Sequence, residues 1–362
     1  LNIIYCCPFD TSIPTGKNRA TRHKIEALKE ISKDTFIIVP GGKGRHFSRV
    51  FTGVLCELRC IATILKYKKD IDYYISRGDV GIFSVPLAKF FGILTMREIH
   101  AGPFEELKLL KKPKLVKFYL KFIFYYSFLV NKKADVRIYN NPMLKEYFIN
   151  KGWGNENDVV AYNGGSPDAV ASIDKKLAME KYSLDPGCKY LVFVGSTSKW
   201  RGVDLLVNLQ QEFDKNKEPI KIICAGGEIT KDVDPDRVLH NISPLDDVGC
   251  AEIIKCADAC LLPVANNRVS PGSPLKLYDY MINGRPIVAQ SEMPGYSDEI
   301  ERYDVGIVVD FYNPEEARRK IVNFLQEMPK LEMYSKNAEE SFSEYSWTSR
   351  VKSWFVSFSR AV

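Results

Sequence analysis

Short apolar bursts alternate along this chain with longer stretches of helical periodicity, and that alternation is its tightest constraint. The bursts include "NIIYCC", "TFIIVP", "IDYYIS", "GILTM", "ADVRIY", "YLVFVG", "IKIICAGG", "ADACLLP", "PIVA" and "VGIVVD". Helical patterns fall between them at 18–31, 47–67, 113–131, 142–150, 202–213, 246–256, 274–283 and 314–327. A strand apolar on both faces must be covered on both, so the pattern predicts parallel sheets with helices on either side. The strands are too many for one open sheet of ordinary size. The stretch 161–190 is rich in Gly, Pro, Asp and Ser, and the alternation restarts after it. The predicted class is therefore α/β: two doubly wound, Rossmann-like domains with a cleft between them. The expected division is residues 1–165, a linker at 166–187, residues 188–345, and a C-terminal helix at 346–362 that packs back on the first domain. Ligands of such sheets bind beyond the carboxyl ends of strands, in loops that feed helix N-termini.

A length of 362 residues allows two cores, and 45% hydrophobic with 27% charged residues fits a folded globular protein. The 51 basic and 45 acidic residues leave a net charge of +6, too slight an excess to argue for a nucleic-acid partner. Nine cysteines without a CxxC pair, and four histidines, give no zinc-ligand pattern; buried free thiols in a reducing compartment are expected. The opening "LNIIYCC" reads as a strand rather than a signal peptide. The longest apolar run, "FIFYYSFLV" at 122–130, falls well short of the roughly 20 residues a membrane-spanning helix needs. A cytoplasmic location is expected.

Four stretches sit where such sheets place chemistry. In "SPLKLYDYMINGRPIVA" (273–289) Ser273 suits an N-cap, Pro274 the first helical position, and Asn283-Gly284 the C-terminal cap. Lys276 and Asp279 are then i and i+3 neighbours beside a helix N-terminus, which favours anions. The plainer alternative is a surface ion pair worth about a few tenths of a kcal/mol. In "VFVGSTSKWRGVDLL" (192–206) a strand ends at Gly195, and Ser196, Lys199 and Arg201 occupy the turn into a helix. Two solvated loop cations are the alternative there. In "YCCPFDTSIPTGKNRATRHKI" (5–25) Gly16 allows close backbone approach, but the loop is neither GxGxxG nor a P-loop. "GGKGRH" at 41–46 lacks the P-loop ending and reads as a flexible loop. In "TMREIHAGPFEE" (95–106) Glu98 and His100 follow a strand, where a histidine can hydrogen-bond a sugar or fill a structural role.

Taken in order, these motifs resemble retaining glycosyltransferases of the GT-B fold, most like glycosyltransferase family 4. The resemblance spans nearly the whole chain and is strongest over 189–327, through "VGSTSKWRG", "CAGGE", "CADACLLP", "SPLKLYDYMINGRPIVA" and "YDVGIVVD". It implies a nucleotide-sugar donor bound by the C-terminal domain and an acceptor bound by the N-terminal one. It gives Arg201 and Lys276 to the diphosphate, with Gly195, Ser196, Lys199, Ser273 and Leu277 around them. It gives Asp279 to the ribose hydroxyls, Gly16 to the donor phosphate and His100 to the sugar pocket. With His100, Arg201 and Lys276 carry the catalytic expectation, because fixed cations and a helix N-terminus stabilise a departing diphosphate without a metal. Two departures stand out. The arginine that usually follows the strand glycine is Ser196, so Lys199 is expected to take part of its task. The first acid of the usual pair falls on Pro271, which leaves sugar recognition to "ANNRVSPGS" (265–273). "DVDPD" (232–236) matches a DxD metal motif only formally, so no metal and no cofactor are expected.

Residues 108–133 carry lysines and no acid, and on a helix over 113–131 Lys114, Lys117 and Lys121 form one stripe among aromatic residues. Such a helix suits an anionic membrane surface, the alternative being a core helix with a solvated edge. The expected activity is transfer of a sugar from a UDP-linked donor to a glycan or polyprenyl-linked acceptor in surface polysaccharide synthesis, with peripheral contact on the inner face of the membrane. Two rivals share the fold. A nucleotide-sugar epimerase would want more acids and histidines. A binding protein without catalysis would not hydrolyse its donor. The absence of GxGxxG after any strand disfavours a dinucleotide oxidoreductase.

Overall fold

A computed structural model describes every residue except 10, 12–15, 41–48, 79, 103–112, 197–200, 227–238, 243–244, 266–269 and 360–362. The chain divides into two compact units: Leu1–Asn163 with Trp347–Val362, and Gly164–Ser346.

In the first unit, six strands form one sheet: β1 (Asn2–Cys6), β2 (Asp34–Ile38), β3 (Tyr73–Arg77), β4 (Leu94–Ile99), β5 (Val136–Tyr139) and β6 (Val159–Val160). Its order is β2-β1-β3-β4-β5-β6, with every pairing parallel. The helices between the strands are α1 (Gly16–Ile31), α2 (Arg49–Tyr67), α3 (Ser84–Phe90), α4 (Lys114–Lys133) and α5 (Pro142–Asn150). Ile4 and Cys6 of β1, Cys56, Cys60 and Ile64 of α2, and Val85 and Ala88 of α3 share one apolar cluster. The chain leaves β1 first to one side and then to the other, so the order reverses between β1 and β3. That reversal is where doubly wound sheets open a crevice.

The second unit repeats the scheme with the order β12-β11-β10-β7-β8-β9, again wholly parallel. A first helix, α6 (Lys175–Lys181), precedes β7 (Lys189–Gly195); α7 (Val203–Lys215), β8 (Ile220–Gly226), β9 (His240–Ile242) and α8 (Asp247–Cys256) follow. Next come β10 (Ala259–Leu262), α9 (Leu275–Ile282), β11 (Ile287–Gln290), α10 (Ser297–Tyr303) and β12 (Gly306–Val309). The unit ends with α11 (Pro314–Gln326), α12 (Met328–Glu340) and α13 (Phe342–Tyr345). Leu191 and Phe193 of β7, Leu205 and Leu209 of α7, and Ile321 and Phe324 of α11 pack in its core. Here the order reverses between β7 and β10.

A last helix, α14 (Trp347–Ser359), returns to the first unit and packs along α1. All nine cysteines are free thiols; Cys188 and Cys250 are partly exposed and the rest are buried. Among the described residues no helix is long and apolar enough to cross a membrane.

Candidate active site

In the second unit β7 ends at Gly195 with φ +141°, and a β-carbon there would lie 3.4 Å from Lys276 Nζ. The backbone angle calls for glycine, while a β-carbon there would make only ordinary contact with the lysine. Gly202 sits at the N-cap of α7 with φ +70°, and a β-carbon on it would come within 3.2 Å of Pro263 and of the Val264 amide. The turn after β7 therefore packs against the turn after β10, at the point where the strand order reverses. Tyr280 of α9 ties the two strands together: its hydroxyl accepts from the Val194 amide at 2.9 Å and donates to Leu261 O at 3.4 Å.

Lys276 is buried at this junction. Its ammonium stands 3.6 Å from the centroid of the Phe193 ring, and no described residue hydrogen-bonds it. Burial, then the neighbouring charge of Arg201, pushes its pKa well below the ordinary value of 10.5, against the opposing pull of Cys224 and Asp279. Arg201 stands just before α7, and its buried Nε also lacks a described partner. A buried unpaired cation is costly, and two beside each other cost more. The surface ion pair weighed from the sequence is therefore not what forms. Asp279 lies one turn further along α9 and is half-buried.

The start of α9 differs from the sequence expectation. The helix begins at Leu275, Pro274 stands at the N-cap in extended geometry, and no side chain caps it. Ser273 is buried and does not act as the cap. Leu277 is fully buried and its amide donates to Pro274 O at 3.3 Å, so it shapes the turn and offers no free donor. The far end follows expectation, with Asn283 at the C-cap and Gly284 at φ +62°. Ser196 is half-buried just beyond β7. Lys199, residues 266–269 of the proposed sugar loop, "GGKGRH" and "DVDPD" lie outside the described residues.

Gly16 and His100 belong to the first unit. Gly16 opens α1 and is exposed; most of the loop before it lies outside the described residues. His100 follows β4 and its side chain is 25% exposed. Its Nε2 lies 2.8 Å from Glu98 Oε2 and 3.2 Å from Lys24 Nζ, and Lys24 donates to the same Oε2 at 2.9 Å. Arg77 Nε is 3.8 Å from that oxygen, and Arg77 Nη1 donates to Thr21 Oγ1 at 2.6 Å. The aromatic walls come from α14: Lys24 Nζ stands 5.6 Å from the Trp347 ring and 5.7 Å from the Trp354 ring. Burial lowers the Lys24 pKa to about 8 despite the attraction of Glu98. Burial would raise that of Glu98, but Lys24, the hydrogen bond to His100 and Arg77 outweigh it and hold the carboxyl well below its usual range. Burial, then Arg77 and Lys24, lowers His100 to about 3, so its ring is neutral at physiological pH.

Sequence reasoning missed Lys24, Arg77 and Phe193. One signal was present for Lys24: it falls four residues after Ala20 and four before Leu28, both buried, so it is a charge on the apolar face of α1.

The helix α4 is also described. Phe118 is 74%, Phe122 66% and Tyr125 54% exposed, while Val130 packs into the core. At helical spacing these aromatics form one stripe beside the stripe of Lys114, Lys117 and Lys121. The core-helix alternative fails for those aromatic positions.

Two parallel, doubly wound sheets, each reversing its strand order beside its cluster of buried charges, are the architecture of the GT-B fold. Comparison with known proteins makes this more particular. Residues 174–341 match the family described as Glycosyl transferases group 1. Over that segment the chain is similar to glycosyltransferases of group 1. It is 28% identical over 312 residues to the uncharacterized glycosyltransferase MJ1069 of Methanocaldococcus jannaschii, covering 82% of this chain and 77% of that protein. Solved structures also share its fold, two of them of near-equal length. A glycosyltransferase from Rickettsia africae ESF-5 has a TM-score of 0.69 at 15% identity, over 99% of this chain and 98% of its own. HepE of Anabaena, solved in complex with UDP, has a TM-score of 0.68 at 12% identity, over 99% of this chain and 100% of its own.

Proposed function

We propose that this enzyme is a retaining glycosyltransferase that takes its sugar from a UDP-linked donor and extends a glycan or polyprenyl-linked acceptor in surface polysaccharide synthesis. The observation that carries the reading is the pair of buried, unpartnered cationic groups, Lys276 Nζ and Arg201 Nε, at the strand-order reversal of the second unit. A diphosphate supplies the anion they lack. The arginine grips it through several N–H groups and the lysine as a point charge. The same groups then stabilise the negative charge that develops on the leaving diphosphate, so no metal is needed for that step. Asp279, one turn into α9, is assigned to the ribose hydroxyls, Gly195 and Ser196 to the phosphate turn, and Gly16 and His100 to the donor side of the first unit. HepE's complex with UDP supports the choice of base.

The exposed aromatic stripe of α4 beside Lys114, Lys117 and Lys121 supports a peripheral membrane contact, which suits a lipid-linked acceptor. Changing those three lysines to Glu should abolish co-sedimentation with anionic phosphatidylglycerol vesicles; retained binding would remove the membrane part of the reading.

The central test is a thermal-shift titration with UDP and UDP-glucose. A ligand that binds only the native state at 100 times its Kd adds about 2.7 kcal/mol of stability. A clear rise in melting temperature with UDP, absent in Lys276→Met, is expected. No rise in the wild type would sink the donor assignment.

A further inference from the structure

We propose that Glu98 is a positioning residue: it accepts from His100 Nε2–H and thereby fixes the tautomer whose bare Nδ1 accepts a hydrogen bond from a sugar hydroxyl. The assignment rests on the transferase reading and deepens it by naming the group that prepares His100.

The geometry gives Nε2 two competing neighbours. Glu98 Oε2 is 2.8 Å away and can only accept; Lys24 Nζ is 3.2 Å away and can only donate. If Nε2 carried no hydrogen, its lone pair would face a carboxylate oxygen at hydrogen-bond distance. If it carries one, it forms a short, charge-assisted bond with that oxygen. Lys24 loses little in the second case, because it already donates to Oε2 at 2.9 Å and faces the rings of Trp347 and Trp354. The carboxylate is held in turn. Lys24 comes from α1, Arg77 from the end of β3, and Glu98 itself is only 4% exposed. Nδ1 then remains as the acceptor of a neutral ring, and no described residue hydrogen-bonds it. No proton transfer is required of it.

The test is a nitrogen–proton correlation spectrum of the imidazoles in the full chain. His100 is assigned among the four histidines by its loss in His100→Asn. The wild type should show a protonated Nε2 and a bare Nδ1. Glu98→Gln should reverse this, because the new amide donates to Nε2 and moves the proton to Nδ1, as when a catalytic Asp is changed to Asn beside its histidine. Glu98→Asp keeps the carboxylate and should keep the wild-type tautomer. With UDP-glucose hydrolysis as the readout, Glu98→Gln should lower kcat about tenfold, the worth of one hydrogen bond. The same change in the His100→Asn background should leave kcat as in His100→Asn alone. A wild-type Nδ1–H, an unchanged tautomer in Glu98→Gln, or an undiminished kcat would overturn the proposal. If Glu98→Gln fails to fold, the wild-type and Glu98→Asp spectra decide it. The UDP melting shift separates the two readings: its absence in the wild type breaks the transferase assignment, whereas an intact shift with the wrong tautomer breaks only this one.

Discussion

Each unit buries cations near the carboxyl ends of its strands, but the two clusters are built on opposite principles. In the first unit Lys24 and Arg77 converge on one carboxylate, Glu98, within 2.9 and 3.8 Å. In the second, Lys276 stands against the face of Phe193 with no described hydrogen-bond partner, and Arg201 adds repulsion that Asp279 opposes. Burying a charge costs several kcal/mol unless a partner returns it. The first cluster contains its own counter-ion and can serve as scaffold. The second has none hydrogen-bonded to Lys276 among the described residues, and its counter-ion is expected to arrive with the substrate. An unpaired buried charge in a natural fold thus marks the place where stability has been given up for binding.

Removing a partner should have opposite effects in the two units. Glu98→Ala leaves two buried cations without their anion and should destabilise the protein by about 3–5 kcal/mol, measured by urea unfolding. Lys276→Met removes a cation that no described anion hydrogen-bonds, replaces it with a side chain of similar shape, and should raise stability by about 1–4 kcal/mol while abolishing the UDP melting shift. If Lys276→Met destabilised the protein as much as Glu98→Ala, the contrast would be false and Lys276 would hold a structural partner.

The pH dependence sharpens the same contrast. Glu98 has a folded pKa below its usual value of 4.5, so its contribution is fully present above 4.5 and is lost as pH falls through the folded value. Lys276 has a folded pKa below 10.5, so between those two values the unfolded chain binds the extra proton and stability rises with pH. The slope from one such proton is at most about 1.4 kcal/mol per pH unit. Lys24, lowered to about 8, adds a slope of the same sign, so the diagnostic is the difference between wild type and Lys276→Met. Stability curves that stay parallel on the alkaline side would mean that Lys276 titrates normally.

Much of this was legible in the sequence and some was not, for physical reasons. The βα alternation fixes two wound sheets because a strand apolar on both faces admits no other neighbours, as Leu191–Phe193 and Leu261–Leu262 show. Lys276 was visible because a charged residue sits in an apolar helix pattern just before a buried strand. Its burial was not, since Lys276 and Asp279 at i and i+3 read equally well as a solvated pair. Phe193 was invisible as a partner because its contact with Lys276 joins strand β7 to helix α9, far apart in sequence. Lys24 and Arg77 were missed for the same reason: Glu98 recruits one from α1 and one from β3. The N-cap failed because Pro274 adopts extended geometry, which delays the helix by one residue and takes Ser273 out of position.

The smallest expected effect is a control on the whole argument. Lys114 and Lys121 of α4 also have no described acidic partner, yet both are exposed. Water replaces the missing counter-ion there, so the absence of a partner costs nothing. Lys114→Gln and Lys121→Gln should each change unfolding stability by less than about 0.5 kcal/mol, the ordinary range for surface changes. Their effect should appear only at a charged surface, where each lysine contributes about 1 kcal/mol to binding anionic lipid. The three kinds of cation then separate cleanly: paired and buried, unpaired and buried, unpaired and solvated. If the exposed lysines changed stability as much as Lys276, burial would not be the deciding variable, and the unsatisfied ammonium of Lys276 would no longer single out a binding site.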